Sequence, residues 1–151
     1  MELLSWDLIF SSNGWTLSPL LKRLYLEILP IKNQLHAVKF LTSSFPLLQT
    51  LCIRSRYIPP NAQFDEESRP DSKLHVDNVS PISKLRTVKV EGFQGRDCEV
   101  ELVTYFLATS TVLEEMNICY TKEMGSNDKT RVFEVLSGLP RVSPRVTLSI
   151  C

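Results

Sequence analysis

The sequence predicts an α/β fold, a right-handed solenoid in which short parallel strands form one sheet and helices return along its convex side. Three observations carry this. A six-residue skeleton, L-x-x-L-x-L with aliphatic replacements, occurs four times. Helical stripes of apolar residues lie between most of the copies. The 151 residues are 43% hydrophobic and 23% charged, which suits one globular domain with a sizeable core.

The strands come first. SPLLKRLYLEI supplies Leu21, Leu24 and Leu26, and FPLLQTLCIRS supplies Leu48, Leu51 and Ile53. LRTVKV supplies Leu85, Val88 and Val90, and TVLEEMNICY supplies Leu113, Met116 and Ile118. Their first positions are 27, 37 and 28 residues apart. Two of these intervals fit leucine-rich repeats, and the longer one contains an insertion. Alternate strand residues share a face, so Leu24 and Leu26 point one way and Tyr25 the other. One unit has too little apolar surface for a core, and stacking the units in parallel buries a continuous one. PRVTLSIC, with Val146, Leu148 and Ile150 alternating, predicts a fifth strand.

The crossovers follow. NQLHAVKFLTSSF places Leu35, Val38, Phe40 and Leu41 near helical spacing. DCEVELVTYFLAT puts Val100, Val103, Phe106 and Leu107 on one stripe, with Asp97 as N-cap and Glu99 and Glu101 at the positive end of the helix dipole. NDKTRVFEVLSGL gives Val132, Val135, Leu136 and Leu139, capped by Asn127 or Asp128. Residues 54–84 are rich in Pro, Asp and Ser, and read as a surface insertion with one short element around Leu74, His75 and Val76. Residues 1–84 thus form irregular repeats with that insertion, continuous with 85–151. Trp6 and Trp15, ahead of the first repeat, read as packing over the solenoid's edge. An abrupt start before Leu21 predicts marginal stability or self-association.

Gly92 and Gly95 stand between a strand and a helix, where phosphate loops also sit. No Lys-Ser/Thr pair follows Gly95, G-x-x-G is not G-x-G-x-x-G, and Asp97 and Glu99 would repel phosphate. The glycines therefore predict a tight turn needing positive φ, with Phe93 tucked onto the core.

The formal net charge is zero, so no basic surface argues for nucleic acid. No apolar run is long enough to cross a bilayer, and MELLSWDLIF lacks the basic start of a signal peptide. Cytoplasm or nucleus is the expected location. Cys52, Cys98, Cys119 and Cys151 are far apart in sequence and read as reduced thiols rather than disulfides or zinc ligands. His36 and His75 form no triad pattern, and the Asp65-Glu66-Glu67 run reads as a solvated loop. Neither an enzyme nor a cofactor is expected.

The stretch LRTVKVEGFQGRDCEVELVTYFLATSTVLEEMNI resembles the FBD segment of plant F-box/leucine-rich-repeat proteins. A strand enters a G-F-x-G turn and an acidic helix follows with Glu101, Leu102, Tyr105 and Leu107. Val112, Leu113, Glu114, Met116 and Ile118 then form a V-L-E-x-M-x-I strand. VFEVLSGLPRVSPRVTLSI is similar to the family's last helix and final strand, so the resemblance runs from Leu85 to Ile150. It implies the target-recognition part of a ubiquitin-ligase adaptor; the alternative expectation is a stand-alone interaction scaffold or competitor without ligase coupling. Nothing in MELLSWDLIFSSNGWTLS resembles an F-box, so a Skp1-type adaptor is expected as partner only if an F-box is supplied elsewhere. The Asn usual in such repeats is replaced by Leu29, Arg56, Phe93 and Thr121.

The candidate protein-binding surface is the concave ribbon of outward strand residues. Arg23, Thr50, Thr87 and Glu115 align as one row; Tyr25, Cys52, Lys89 and Asn117 as the next; Glu27, Arg54, Glu91 and Cys119 as the third. Tyr25 is its one large aromatic and best anchor. Charges in the third row either pair across strands or bind a partner.

Overall fold

The computed structural model describes residues 20–59 and 81–151, together with the backbone of Glu2–Ser5. Six strands form one sheet in sequence order, every neighbouring pair parallel: β1 (Glu2–Ser5), β2 (Arg23–Ile28), β3 (Thr50–Ser55), β4 (Thr87–Phe93), β5 (Glu115–Tyr120) and β6 (Thr147–Ile150). Among the described residues, three helices follow strands: α1 (Lys32–Ser44) after β2, α2 (Asp97–Thr109) after β4 and α3 (Ser126–Ser137) after β5.

Strand pleat builds the core. Leu24, Leu51, Val88, Met116 and Leu148 are register partners, and so are Leu26, Ile53, Val90, Ile118 and Ile150. In β2 to β5 these side chains are at most 4% exposed, while their neighbours along each strand are mostly half-buried or exposed. Leu148 and Ile150, on the last strand, are partly buried against the same core. Leu35, Val38 and Leu41 of α1, Leu102, Val103, Phe106 and Leu107 of α2, and Val132 and Leu136 of α3 join it. All three helices therefore cover one face of the sheet. Leu48, Leu85 and Leu113, which open three repeats, are at most 1% exposed.

The repeats also share a main-chain signature. The Lys22 carbonyl accepts N–H groups from Gln49 and Thr50, at 2.8 and 3.0 Å. The Gln49 carbonyl accepts from Arg86 and Thr87, and the Arg86 carbonyl from Glu114 and Glu115. Thr147 donates to Glu114 in the last step. Each carbonyl stands at the same point of its repeat, so backbone and side chains report one register.

Several elements differ from the sequence reading. β1 makes a sixth strand, and it lies beyond β2, so β2 is not the sheet's edge. Its four residues carry no L-x-x-L-x-L skeleton to reveal it. Arg54 and Ser55 belong to β3, because its ladder continues through Ile28–Ser55 before the chain leaves the sheet. Ile82 makes an isolated parallel bridge with Ser110 at the end of α2. Residues 60–80 of the insertion, including Asp65, Glu66, Glu67, Leu74, His75 and Val76, lie outside the described residues, as do Trp6 and Trp15.

The helices bury narrower stripes than expected. Phe40 is 64% exposed, since it sits about 200° around α1 from Val38. Val135 is 47% exposed, because α3 buries only Val132 and Leu136, spaced i and i+4. In α2, Leu102 is buried whereas Val100 is only partly so. The N-caps are Arg96 and Gly125 rather than Asp97 and Asn127 or Asp128.

No Asn ladder is needed to satisfy the turns. Gln34 Oε1 accepts the Leu29 N–H at 2.6 Å. The Gln94 amide both accepts the Ile58 N–H and donates to the Ile58 carbonyl, each at 2.9 Å. Thr121 N–H reaches the Phe93 carbonyl at 2.9 Å.

Candidate functional site

The face of the sheet away from the helices carries the candidate residues. The structure aligns Arg23, Thr50, Thr87 and Glu115 as one row and Tyr25, Cys52, Lys89 and Asn117 as the next. β6 extends them with Thr147 and Ser149, which the sequence reading did not include. In the third row Glu27, Arg54 and Glu91 align, but Glu91 and Cys119 are not register partners. Pairing passes from Val90–Ile118 to Phe93–Tyr120, so Glu91 and Gly92 together oppose Cys119 in a β-bulge.

The bulge explains the two glycines. Gly92 and Gly95 have φ of 74° and 79°, and Phe93 between them is fully buried. A Cβ on Gly92 would overlap the Ser55 carbonyl oxygen of the neighbouring strand. One on Gly95 would lie 2.6 Å from Val132 Cγ2. Both glycines thus permit close packing at the turn that leads into α2.

Glu99 organises this turn. It occupies the third position of α2 and is 3% exposed. Its Oε1 accepts the backbone N–H groups of Arg96 at 3.0 Å and Gln94 at 3.1 Å, and its Oε2 accepts the Ser55 hydroxyl at 3.2 Å. Sequence reading placed Glu99 at the helix dipole, and the glutamate three residues after an N-cap was the available signal for this capping role. Burial pushes its carboxyl up to about 7, against the lowering effect of those donors. The unfolded chain ionises near 4.5, so between about pH 4.5 and 7 the folded chain holds the extra proton and stability falls as pH rises. The loss across that window is expected to be about 3 kcal/mol. Glu99→Gln keeps an acceptor for both N–H groups and should lack this loss. His36, lowered chiefly by burial, contributes the opposite slope through its own titration but is common to both chains. Urea unfolding of the two proteins between pH 4 and 8 checks this; parallel pH profiles would refute it.

The charges on the open face are largely engaged with one another. Glu27 Oε1 pairs with Arg56 Nε at 2.7 Å, so its partner is Arg56 rather than its register neighbour Arg54. Arg54 Nε lies 4.0 Å and Lys89 Nζ 3.1 Å from Glu91. The hydrogen bond to Glu91 raises the Lys89 pKa and keeps it cationic. Burial, then the Glu91 charge, raises the Tyr25 phenol, which remains a hydroxyl able to donate and accept. Burial likewise raises the Cys52 thiol, and only 8% of that residue is exposed. Tyr25, Thr50, Thr87 and Asn117 are half-buried and Arg23 and Glu115 exposed, so the first two rows offer most of the uncommitted hydrogen-bonding surface.

Residues that the sequence reading missed lie in two places. Arg56 joins Glu27, and Cys151 comes beside Cys119 at the β6 end. Across the molecule, Lys39, Val100, Glu101, Tyr105 and Ala108 line a cavity of about 610 Å³ on the helical side, with the Lys39 ammonium 5.1 Å from the Tyr105 ring centre. Among the described residues, no three His, Cys, Asp or Glu side chains gather as a metal set, and no helix is long and apolar enough to cross a membrane.

Residues 81–118 match the FBD family. This segment runs from the bridge at Ile82 through β4, the glycine turn, the Glu99 capping site and α2 into β5. The match stops at β5, short of the tail through Ile150 that the sequence resemblance included. A protein of Arabidopsis thaliana described as an FBD-associated F-box protein is 34% identical over 68 residues, which is 45% of this chain and 16% of that protein. The chain therefore spans only a small part of that relative's length. No solved structure matches it. The strand, glycine turn and capped helix of residues 81–118 are thus the part of the chain that is similar to the FBD family.

Proposed function

We propose that this chain is a protein-recognition module, a leucine-rich-repeat-like solenoid that serves as the target-binding part of an F-box ubiquitin-ligase adaptor. The observation that carries the reading is the open sheet face. Helices take one side of the parallel sheet, and the other presents aligned rows containing Tyr25, Thr50, Thr87, Lys89 and Asn117. The main-chain repeat from Lys22 to Glu114 supports the solenoid, and the described F-box relative supports the ligase connection. Tyr25 is the anchor, its ring supplying apolar contact and its hydroxyl a hydrogen bond. Lys89 supplies a directed positive charge. The chain acts by binding and has no catalytic role of its own in this reading.

The test is affinity capture by the tagged chain from plant extract, read by mass spectrometry, with each captured protein then measured against purified chain. A target is expected to bind the parent chain and to lose at least tenfold in affinity with Tyr25→Ala plus Lys89→Ala. Co-capture of a Skp1-type adaptor and a cullin supports ligase coupling. Targets that bind through these residues without either protein favour a stand-alone scaffold, which competes with longer relatives. Binding unchanged by the two substitutions would overturn the open-face assignment.

A further inference from the structure

We infer that Cys119 and Cys151 form a reversible dithiol–disulfide pair, a covalent clip between β5 and β6. Their Sγ atoms lie 3.1 Å apart. The contact follows from the sheet itself, because the Ile118–Ile150 register continues one residue further. The backbone holds that step from both sides: Cys151 N–H donates to the Ile118 carbonyl at 2.9 Å, and Tyr120 N–H donates to the Cys151 carbonyl at 2.8 Å. In-register residues on neighbouring strands stand about 4.8 Å apart, within the Cα separations that disulfides span. Closing the bond therefore requires rotation of side chains rather than movement of strands.

Access and reactivity fit an ordered exchange. Cys151 is exposed and Cys119 half-buried. The hydrogen bond with Cys151, then burial, pushes the Cys119 thiol up to about 11, so Cys119 holds its proton while Cys151 meets the oxidant. The oxidant is a small disulfide such as glutathione disulfide. The Cys151 thiolate attacks one of its sulfurs, forming a mixed disulfide and releasing one glutathione thiolate. Cys119 then loses its proton to solvent and attacks the Cys151 sulfur, releasing the second. Two protein thiols become one disulfide, the two electrons reduce glutathione disulfide to two glutathiones, and the two thiol protons end on them. The remaining cysteines lie elsewhere. Cys52 is buried on β3, and the Cys98 thiol donates to the Pro30 carbonyl at 3.1 Å.

The test is incubation of the full chain with glutathione disulfide, then peptide mapping without reduction and thermal melting. The expected product is an intrachain Cys119–Cys151 link with Cys52 and Cys98 still reduced. Tm is expected to rise on the order of 10 °C and to return with dithiothreitol, because the link closes a long loop around α3. Cys119→Ser should stop at glutathione on Cys151, without the Tm rise, and Cys151→Ser should give neither an intrachain link nor the Tm rise. Glutathione remaining on Cys151 of the parent chain would overturn the inference. So would links between two chains, or a bond to Cys52 or Cys98.

Discussion

Gly92→Ala is expected to destabilise the fold by about 3–5 kcal/mol, a large part of a domain's total stability. Two costs combine. A φ of 74° is strained for any residue with a Cβ, by roughly 1–2 kcal/mol. The new methyl would also overlap the Ser55 carbonyl oxygen, which belongs to β3 and cannot withdraw without disturbing the β3–β4 ladder. Relief would shift Phe93 out of its fully buried position and unseat Glu99 from Ser55 and Gln94. Gly125→Ala is the control. Its backbone has ordinary negative φ, and an added Cβ would meet only Asp128 Oδ2 at 4.0 Å. Guanidinium unfolding of both variants measures the difference. A Gly92→Ala protein within about 0.5 kcal/mol of the parent would show that the bulge is not held as described.

Leu51→Ala and Leu113→Ala should each cost about 3–5 kcal/mol, the upper part of the range for buried leucines. Both side chains are fully buried. Leu51 lies in the middle of the sheet with register partners Leu24 and Val88, and Leu113 opens the β5 repeat, so neither gap can be closed by a small local shift. Phe40→Ala, at a position 64% exposed, should stay within about 0.5 kcal/mol despite its larger side chain. Small effects at both leucines would refute the repeat register. A large effect at Phe40 would mean that something covers α1.

The strand register was legible because the same residues carry period and burial together. Leu24, Leu51, Val88 and Met116 could be aligned by their skeleton, and the sheet pairs them in that order. Gly92 and Gly95 were legible because positive φ is a property of the residue type. The break between Glu91 and Cys119 was harder to see, since a bulge depends on one backbone opposing another. Helical stripes were overread at Phe40 and Val135, because an apolar residue on a helix need not face the sheet. Arg56 beside Glu27 and Cys151 beside Cys119 depend on distant parts of the chain, and no local pattern announced either pairing. Glu99 carried the capping signal, but not its bond to Ser55, which a strand 44 residues earlier contributes.

The carbonyls of Lys22, Gln49 and Arg86 make the same two-fold contacts although the chain between repeats differs in length. Consecutive repeats are therefore joined by a backbone coupling that does not register the number of residues intervening. Connecting segments can grow, shrink or change composition while the rows on the sheet keep their alignment. This separates two kinds of change: drift in the connections alters the rim of the sheet, while single strand substitutions alter its open face.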